Sequence, residues 1–201
     1  MKSEAEVRSV FGDELDRIEK YGGKNDIHTF VLIALQHAPD YFWTLPASTS
    51  GKYHQGDSLV AHVKNAFRFA VEVVYMQYRV AKVWVEEDAQ IFLGAVLLHD
   101  LCRAGLPDQV RHGKDGTIHT DNLHPLYVRE HTRKIKMDNR LKDIENKDWY
   151  ERMMQAIQYH MGPWTPLADH MMMEPFAHLP NMVFACDFFS SRMSIRFVDK
   201  K

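Results

Sequence analysis

The sequence predicts an all-α fold, a single helical bundle of about six to eight helices, on three observations. Apolar residues recur at helical spacing over most of the 201-residue chain. Strand signals are lacking, since neither sustained apolar–polar alternation nor an Asn-Gly or Asp-Gly turn between β-branched runs occurs. The hydrophobic fraction of 45% and the charged fraction of 26% are those of an ordinary globular domain.

The first 45 residues are expected to form a helical extension packed on the main domain, residues 46–201. A charged amphipathic helix is predicted from Ser3 to about Tyr21, where a Gly-Gly pair ends it. Asp26 is a candidate cap for a second, shorter helix. An irregular segment rich in aromatic residues, 41–56, follows and leads into the main domain.

Two further helices are predicted in the middle of the chain. Asp57 or Ser58 caps a helix that extends to about Tyr78 and carries an apolar stripe. The next helix, from about Glu86 to Arg103, is apolar nearly all round. It should therefore be the most buried helix of the fold.

The second half of the chain alternates loops and helices. Residues 108–122 contain two glycines and many charges, which predicts a surface loop. The histidine–proline pair 124–125 opens a fifth helix, because proline is well tolerated in a first turn. A sixth helix is predicted from about Asp148 to His160, and a last one begins at about Asn181.

His99 and Asp100 follow directly on an apolar run, residues 91–98, at the end of the predicted central helix. An imidazole and a carboxylate side by side in a buried position are suitable ligands for a divalent metal ion. Further candidate ligands lie at or near the ends of other predicted helices: His62, His124, His160 and Asp187. One bundle can therefore bring all six side chains together.

Charge gives a second argument for a metal ion. Asp100 and Asp187 lie within apolar segments that contain no lysine or arginine, and an unpaired buried carboxylate is unfavourable unless a cation neutralises it. We therefore expect a divalent ion between the central and final helices. The predicted ligands of this ion are His62, His99, Asp100 and Asp187. A second ion would use Asp100 again, together with His124 and His160.

Seven other histidines have a simpler expectation, because an isolated histidine in a helical protein is more often a hydrogen-bonded structural residue than a ligand. We assign this structural role to His28, His37, His112, His119, His131, His170 and His178.

Composition excludes several classes of protein. A formal net charge of −2 argues against an extended nucleic-acid-binding surface. The charged N-terminus predicts no secretory signal, and no run approaches the ~18 apolar residues of a membrane-spanning helix. Cys102 and Cys186 form no CxxC pair and no disulfide framework. We expect a cytoplasmic protein with no membrane partner.

Longer motifs surround the ordered ligands His62, His99, Asp100 and Asp187. The segments are Pro46-Ala-Ser-Thr49 with Tyr53-His54 and Leu59; Leu97-Leu-His-Asp-Leu-Cys-Arg103; and Ala156-Ile-Gln-Tyr-His-Met-Gly-Pro-Trp164. In this order, over about residues 46–192, they resemble the HD-domain metal-dependent phosphohydrolases of phages and bacteria. These include relatives of an HD-type 3′–5′ exoribonuclease.

The resemblance implies an all-α bundle that hydrolyses a phosphomonoester or phosphodiester of a nucleotide or short oligonucleotide. It implies that one divalent ion (Mn, Fe, Co, Ni, Zn or Mg) is held by His62, His99, Asp100 and Asp187. It also implies that His124 and His160 bind a second ion or face the substrate phosphate. Asp100 and Arg103 would have catalytic roles. Contacts with a small phosphorylated substrate are expected from Arg103, His54, Tyr53 and Trp164.

Three residues depart from the family pattern. Arg103 stands where lysine is usual, and its guanidinium can bind a phosphate but is not equivalent to an ammonium. Met161 stands where some subfamilies carry a second adjacent histidine, and proline rather than glycine follows His124. These departures leave open whether one ion or two are bound.

Three alternatives remain at the level of sequence. One is a metal-stabilised nucleotide-binding or regulatory domain without turnover, which the arginine substitution and the incomplete second site motivate. The second is a di-iron oxygenase of the HD type, which requires a fuller ligand set than Met161 allows. The third is a metal-free bundle, which does not account for the two carboxylates. The oligomeric state is not predicted.

Overall fold

The computed structural model describes residues 1–47, 57–135, 141, 143–165 and 178–192. Within these ranges it contains α-helices, short 3₁₀ and π segments and no β-strand, which confirms the predicted all-α bundle. The α-helices are α1 (Glu4–Gly22), α2 (Asp26–Gln36), α3 (Asp40–Thr44), α4 (Leu59–Val74), α5 (Glu86–Leu98), α6 (His124–Lys134), α7 (Asp148–Gln158) and α8 (His178–Arg192).

Local capping explains where the first helices begin. A reciprocal pair of hydrogen bonds between Ser3 and Glu6 starts α1. The cap of α2 is Asn25, not Asp26 as predicted, because the Asn25 side-chain oxygen accepts hydrogen bonds from the backbone N–H groups of Ile27 and His28. Asp26 is instead the first residue of the helix, where its charge suits the helix dipole.

The predicted central helix is the most buried element, as expected. Every residue of α5 from Ala89 to Leu98 is buried, and the helix packs against α1, α2, α4, α7 and α8. Gly94 allows the close approach of α7, because a Cβ there would lie 2.7 Å from the Met153 methyl carbon. Helices α1 and α2 bury their apolar faces in the same core.

Gln90 joins the start of α5 to the turn between α1 and α2. Its amide accepts a hydrogen bond from Asn25 and donates to the backbone carbonyls of Ile18 and Gly23. Gln90 is fully buried, so these partners satisfy a polar group inside the core. The contact orients the N-terminal helices relative to α5.

Several predicted boundaries were wrong. The segment predicted to be irregular contains α3, and the α-helical part of α4 ends at Val74, where a π-helix (Tyr75–Val80) continues it. α5 ends at Leu98 rather than Arg103, because the chain then makes tighter three-residue turns. α8 begins at His178, since Pro180 is tolerated within a first turn and does not exclude an earlier start.

Residues 108–122 form turns with an isolated bridge between His112 and Ile118, in agreement with the predicted loop. Among the described helices, none combines the length and the apolar character that crossing a bilayer requires.

Candidate metal centre

Helix ends bring five of the six predicted ligands together. His62 lies in the first turn of α4, and His124 is the first residue of α6. His99 and Asp100 directly follow α5, and His160 comes two residues after α7. Asp187 differs from the prediction, because it lies in the interior of α8 and reaches the cluster from the side of the helix. All six side chains meet in one cluster.

The first group consists of two imidazoles and two carboxylates. His62 Nε2 lies 3.0 Å from Asp187 Oδ1, 3.4 Å from Asp100 Oδ2 and 3.3 Å from His99 Nε2. His99 Nε2 lies 3.5 Å from Asp100 Oδ2 and 3.7 Å from Asp187 Oδ1. The two acidic side chains therefore share the same pair of histidines, as predicted.

The second group uses the other oxygen of Asp100. His124 Nε2 lies 3.0 Å and His160 Nε2 3.6 Å from Asp100 Oδ1. The Nε2 atoms of these two histidines are 3.2 Å apart. Asp100 is thus positioned between two clusters of nitrogen atoms and presents one carboxylate oxygen to each.

The opposite ring nitrogens are held by the backbone. The Nδ1 atoms of His99, His124 and His160 lie 2.6–2.7 Å from the carbonyl oxygens of Val96, Asp121 and Ile157. A carbonyl accepts but cannot donate, so each Nδ1 carries the hydrogen. In the neutral ring, Nε2 then presents its lone pair to the cluster. This arrangement is typical of histidines that bind metal ions.

Ser190 provides the equivalent support for His62. Its hydroxyl donates to the Asp187 carbonyl at 2.8 Å, and its oxygen lies 3.2 Å from His62 Nδ1. Because the hydroxyl hydrogen is used on the carbonyl, the oxygen accepts the Nδ1 hydrogen. Ser190 was not singled out in the sequence. Its position three residues after Asp187 on a helix is the signal that could have found it.

The electrostatics indicate an excess of negative charge. Burial alone would lower the pKa of His62, but Asp100 and Asp187 outweigh it and raise the pKa to about 9. Burial opposes ionisation of Asp187 too, yet His62 and His99 hold its pKa well below the usual range. At the first group a positive charge is therefore favoured. At the second group the pKa of His160 is lowered, chiefly by burial, so its imidazole is kept neutral.

One part of the charge argument made from the sequence was wrong. Asp100 does have a cation beside it, because the Arg103 guanidinium contacts Oδ2 from one helical turn further along the chain. Despite its burial, Asp100 is kept ionised, with a pKa well below the usual range, by Arg103, His99 and the imidazoles of the second group. Thr120 orients Arg103 by accepting a hydrogen bond from Nε at 3.3 Å.

The donor atoms fit a divalent ion. Zinc-like ions bind nitrogen and oxygen at about 2.1 Å, so neighbouring ligands in tetrahedral or octahedral geometry lie about 3.0–3.4 Å apart. The shortest donor separations given above, 3.0–3.4 Å, match this range, and the longest, 3.7 Å, exceeds it by about 0.3 Å. Mixed imidazole and carboxylate ligation suits several first-row metals. These groups could hold a metal ion.

A cleft of about 330 Å³ opens over the cluster. Trp164, 59% exposed, stands at its edge, and Arg103 lies in its wall with a largely buried side chain. The sequence analysis missed several residues that line the same cleft: Thr120, Phe184, Ser191 and Arg192. The Arg192 guanidinium stacks 4.2 Å from the Phe188 ring centroid, which places a second cation at the rim.

Two predicted substrate contacts, Tyr53 and His54, fall outside the described residues. His28 and His131 are buried away from the cluster, and His131 Nε2 hydrogen-bonds the His37 carbonyl at 2.9 Å.

Comparison with known proteins gives no match: no family model fits the sequence, and neither a curated protein nor a solved structure is significantly similar.

Proposed function

We propose that the protein is a metal-dependent phosphohydrolase of the HD type that cleaves a phosphomonoester or phosphodiester of a nucleotide or short oligonucleotide. The observation that carries this proposal is the convergence of four imidazole Nε2 atoms and two carboxylates at the base of a cleft that also contains Arg103. The resemblance of the sequence to HD-domain phosphohydrolases supports the same conclusion.

His62, His99, Asp100 and Asp187 would hold the first divalent ion. Asp100, His124 and His160 would hold a second ion if two are bound. When bound, these ions supply Lewis acidity to a phosphoryl oxygen and to the attacking water. Ions of Mn, Fe, Co, Ni and Zn suit this set of imidazole and carboxylate ligands. Mg is included among the metals to be tested.

The side chains of the cleft have separate roles. Arg103 presents its guanidinium to the phosphoryl oxygens, with which it can form paired charge-assisted hydrogen bonds. Asp100 holds Arg103 in place through their contact and retains its negative charge because of it. The exposed indole of Trp164 offers a flat surface on which a nucleobase stacks. Phe184 lies against the same ring, at 6.1 Å between centroids.

Turnover is tested on bis-(p-nitrophenyl) phosphate and a panel of nucleotides after loading the protein with Mn²⁺, Co²⁺, Ni²⁺ or Mg²⁺. His62→Gln should abolish turnover, whereas His28→Gln, which changes a buried histidine outside the cluster, should retain it. Absence of turnover with every metal, at verified metal occupancy, would overturn the proposal.

Nucleotide binding without turnover is the second candidate. The contact between Arg103 and Asp100 favours it, because a guanidinium engaged by the carboxylate is less available to a phosphate. Tight nucleotide binding by a metal-loaded protein that releases no product would favour this candidate over hydrolysis.

A further inference from the structure

Exposed apolar side chains are concentrated at the far end of α4. Among the described residues, the segment 75–85 holds five large apolar side chains that are 52–65% exposed. We refer to this segment as the 75–85 surface. Its exposed members are Tyr75, Met76, Val80, Val83 and Val85. Scattered apolar side chains on a surface are common, but several within one short segment are what an interaction site would present.

The backbone holds this segment in a defined shape. No residue of the π-helix Tyr75–Val80 is fully buried, although Tyr78 packs against Tyr21 at 5.4 Å between ring centroids. Lys82, with φ of 56°, then turns the chain, and the backbone N–H of Val83 donates to the Gln77 carbonyl at 3.0 Å. The Trp84 ring packs on Phe92 in the core, at 5.1 Å between centroids. The neighbouring valines therefore point outward from an anchored segment.

The surface is remote from the metal centre. His62 lies in the first turn of α4, whereas Tyr75 follows its last residue. At a rise of 1.5 Å per residue, the two positions are about 20 Å apart along the helix. The exposed apolar group thus belongs to neither the cluster nor its cleft.

The charges on this surface indicate the kind of partner. Arg79 and Lys82 are exposed and have no ion pair within the described ranges. Glu72 and Glu86 are exposed nearby, whereas the neighbouring Glu87 pairs with Arg152 at 3.5 Å. Glu86 accepts a hydrogen bond from the Tyr78 hydroxyl, and Arg79 lies 5.3 Å from the same ring. Tyr78 therefore has one acidic and one basic side chain next to it, Glu86 and Arg79. The acids would repel nucleic acid or an anionic membrane, so the charges favour a protein that carries both signs.

We propose that the 75–85 surface binds the same surface of a second copy of this chain. A two-fold axis through the apolar group makes the surface its own complement, because each residue then meets the partner's corresponding region. Val80, Val83 and Val85 are buried at the centre. Arg79 and Lys82 of each copy face the acids that flank the surface of the other copy, which satisfies both sets of charges.

The solution mass of the full chain, measured by sedimentation or light scattering over a range of concentrations, tests this proposal. We expect a dimer of twice the 23.5 kDa chain mass. A Val80→Glu/Val83→Glu variant should be monomeric with an unchanged helical circular dichroism spectrum. Leu123→Glu, which alters an exposed apolar residue outside this surface, should remain dimeric. A monomer at every concentration, or a dimer that the double variant leaves intact, would overturn the proposal.

Charge exchange provides a second readout. Arg79→Glu and Glu86→Arg should each weaken the homodimer, because like charges then face each other across the axis. Mixing the two variants should restore a heterodimer, since opposite charges meet again in the mixed pair. If both single variants dimerise like the parent protein and mixing gives no preference, the proposed pairing is wrong.

Discussion

His124 and His160 point their Nε2 atoms at each other across 3.2 Å, while each Nδ1 atom is within hydrogen-bonding distance of a backbone carbonyl oxygen. Because the hydrogens reside on Nδ1, neither ring can donate to the other when both are neutral. Two lone pairs facing each other next to Asp100 Oδ1 repel one another, and a cation between them would remove this repulsion. Asp100, His124 and His160 could therefore hold a metal ion beside the first group.

His160→Gln should therefore remove the second ion and leave the first. The amide lacks the imidazole nitrogen at the required position, whereas His62, His99 and Asp187 are unchanged. Isothermal titration of the metal-free protein with Mn²⁺ should lose its second binding event. His131→Gln, a buried histidine held by the His37 carbonyl, serves as the control. Two undiminished binding events in the His160 variant would contradict the assignment.

Ser190→Ala should weaken metal binding although Ser190 contacts no metal. Its removal leaves His62 Nδ1 without its hydroxyl acceptor, so the ring loses an orienting contact. Loss of such a supporting group reduces metal affinity by about 10–100-fold. Ser191→Ala is a matched control on the same helix, since its hydroxyl bonds the Phe188 carbonyl. Equal affinities for the two variants would show that Ser190 does not support the site.

Arg103→Gln should lower kcat/KM without lowering the affinity for metal. The amide carries no charge, and a lost charge-assisted hydrogen bond corresponds to about 1.5–3 kcal/mol, or about 10–100-fold in kcat/KM. Metal affinity should not fall, because Asp100 loses a competing cation. Steady-state kinetics and Mn²⁺ titration of the same preparation measure both effects. Parallel losses of metal and activity would indicate a structural role for Arg103 instead.

The ends of the helices explain how much of this site could be predicted. His99 and His160 follow the last turns of α5 and α7, where carbonyl groups lack helical partners and can hold an imidazole. The sequence indicated these two positions because the polar pair His99-Asp100 ends one apolar pattern and a glycine shortly after His160 ends the other. Asp187 was found through its apolar neighbours, although its interior position in α8 was not predicted.

Contacts between distant elements could not be predicted in the same way. Ser190 meets His62 only because α8 packs on α4, and Thr120 meets Arg103 only because the 108–122 loop returns to the cleft. The contact between Arg103 and Asp100 is different, since the spacing of three residues is local. The sequence alone could therefore have placed the Arg103 cation beside Asp100.

Gln90→Leu should destabilise the fold. The substitution removes a buried hydrogen bond to the Ile18 carbonyl and part-buried ones to Asn25 and Gly23, and leaving a buried polar group unsatisfied costs about 1–3 kcal/mol. Urea unfolding followed by circular dichroism measures the free energy of unfolding. Gln155→Leu, at an exposed position of α7, should stay within about 0.5 kcal/mol of the parent protein. A parent-like stability of the Gln90 variant would contradict this role.

His28 should make stability depend on pH below neutrality. Burial lowers its pKa from 6.5, and Glu19 only partly offsets this. The unfolded state therefore binds the proton more tightly, so stability falls as the pH drops through about 6.5, by at most about 1.4 kcal/mol per pH unit. His28→Gln should flatten this part of the profile in urea unfolding of metal-free protein. An identical slope in both proteins would exclude a contribution from His28.

The metal content of the protein, determined by mass spectrometry after loading with Mn²⁺ and removal of free ions, tests the central claim most directly. The six converging ligands predict that the parent protein binds metal. The His62→Gln variant should lose the ion of the first group, whereas the His28→Gln variant should bind as much metal as the parent protein. A parent protein that retains no ion with any of the first-row metals, or a His62 variant that binds as much as the parent, would contradict a metal centre at this cluster.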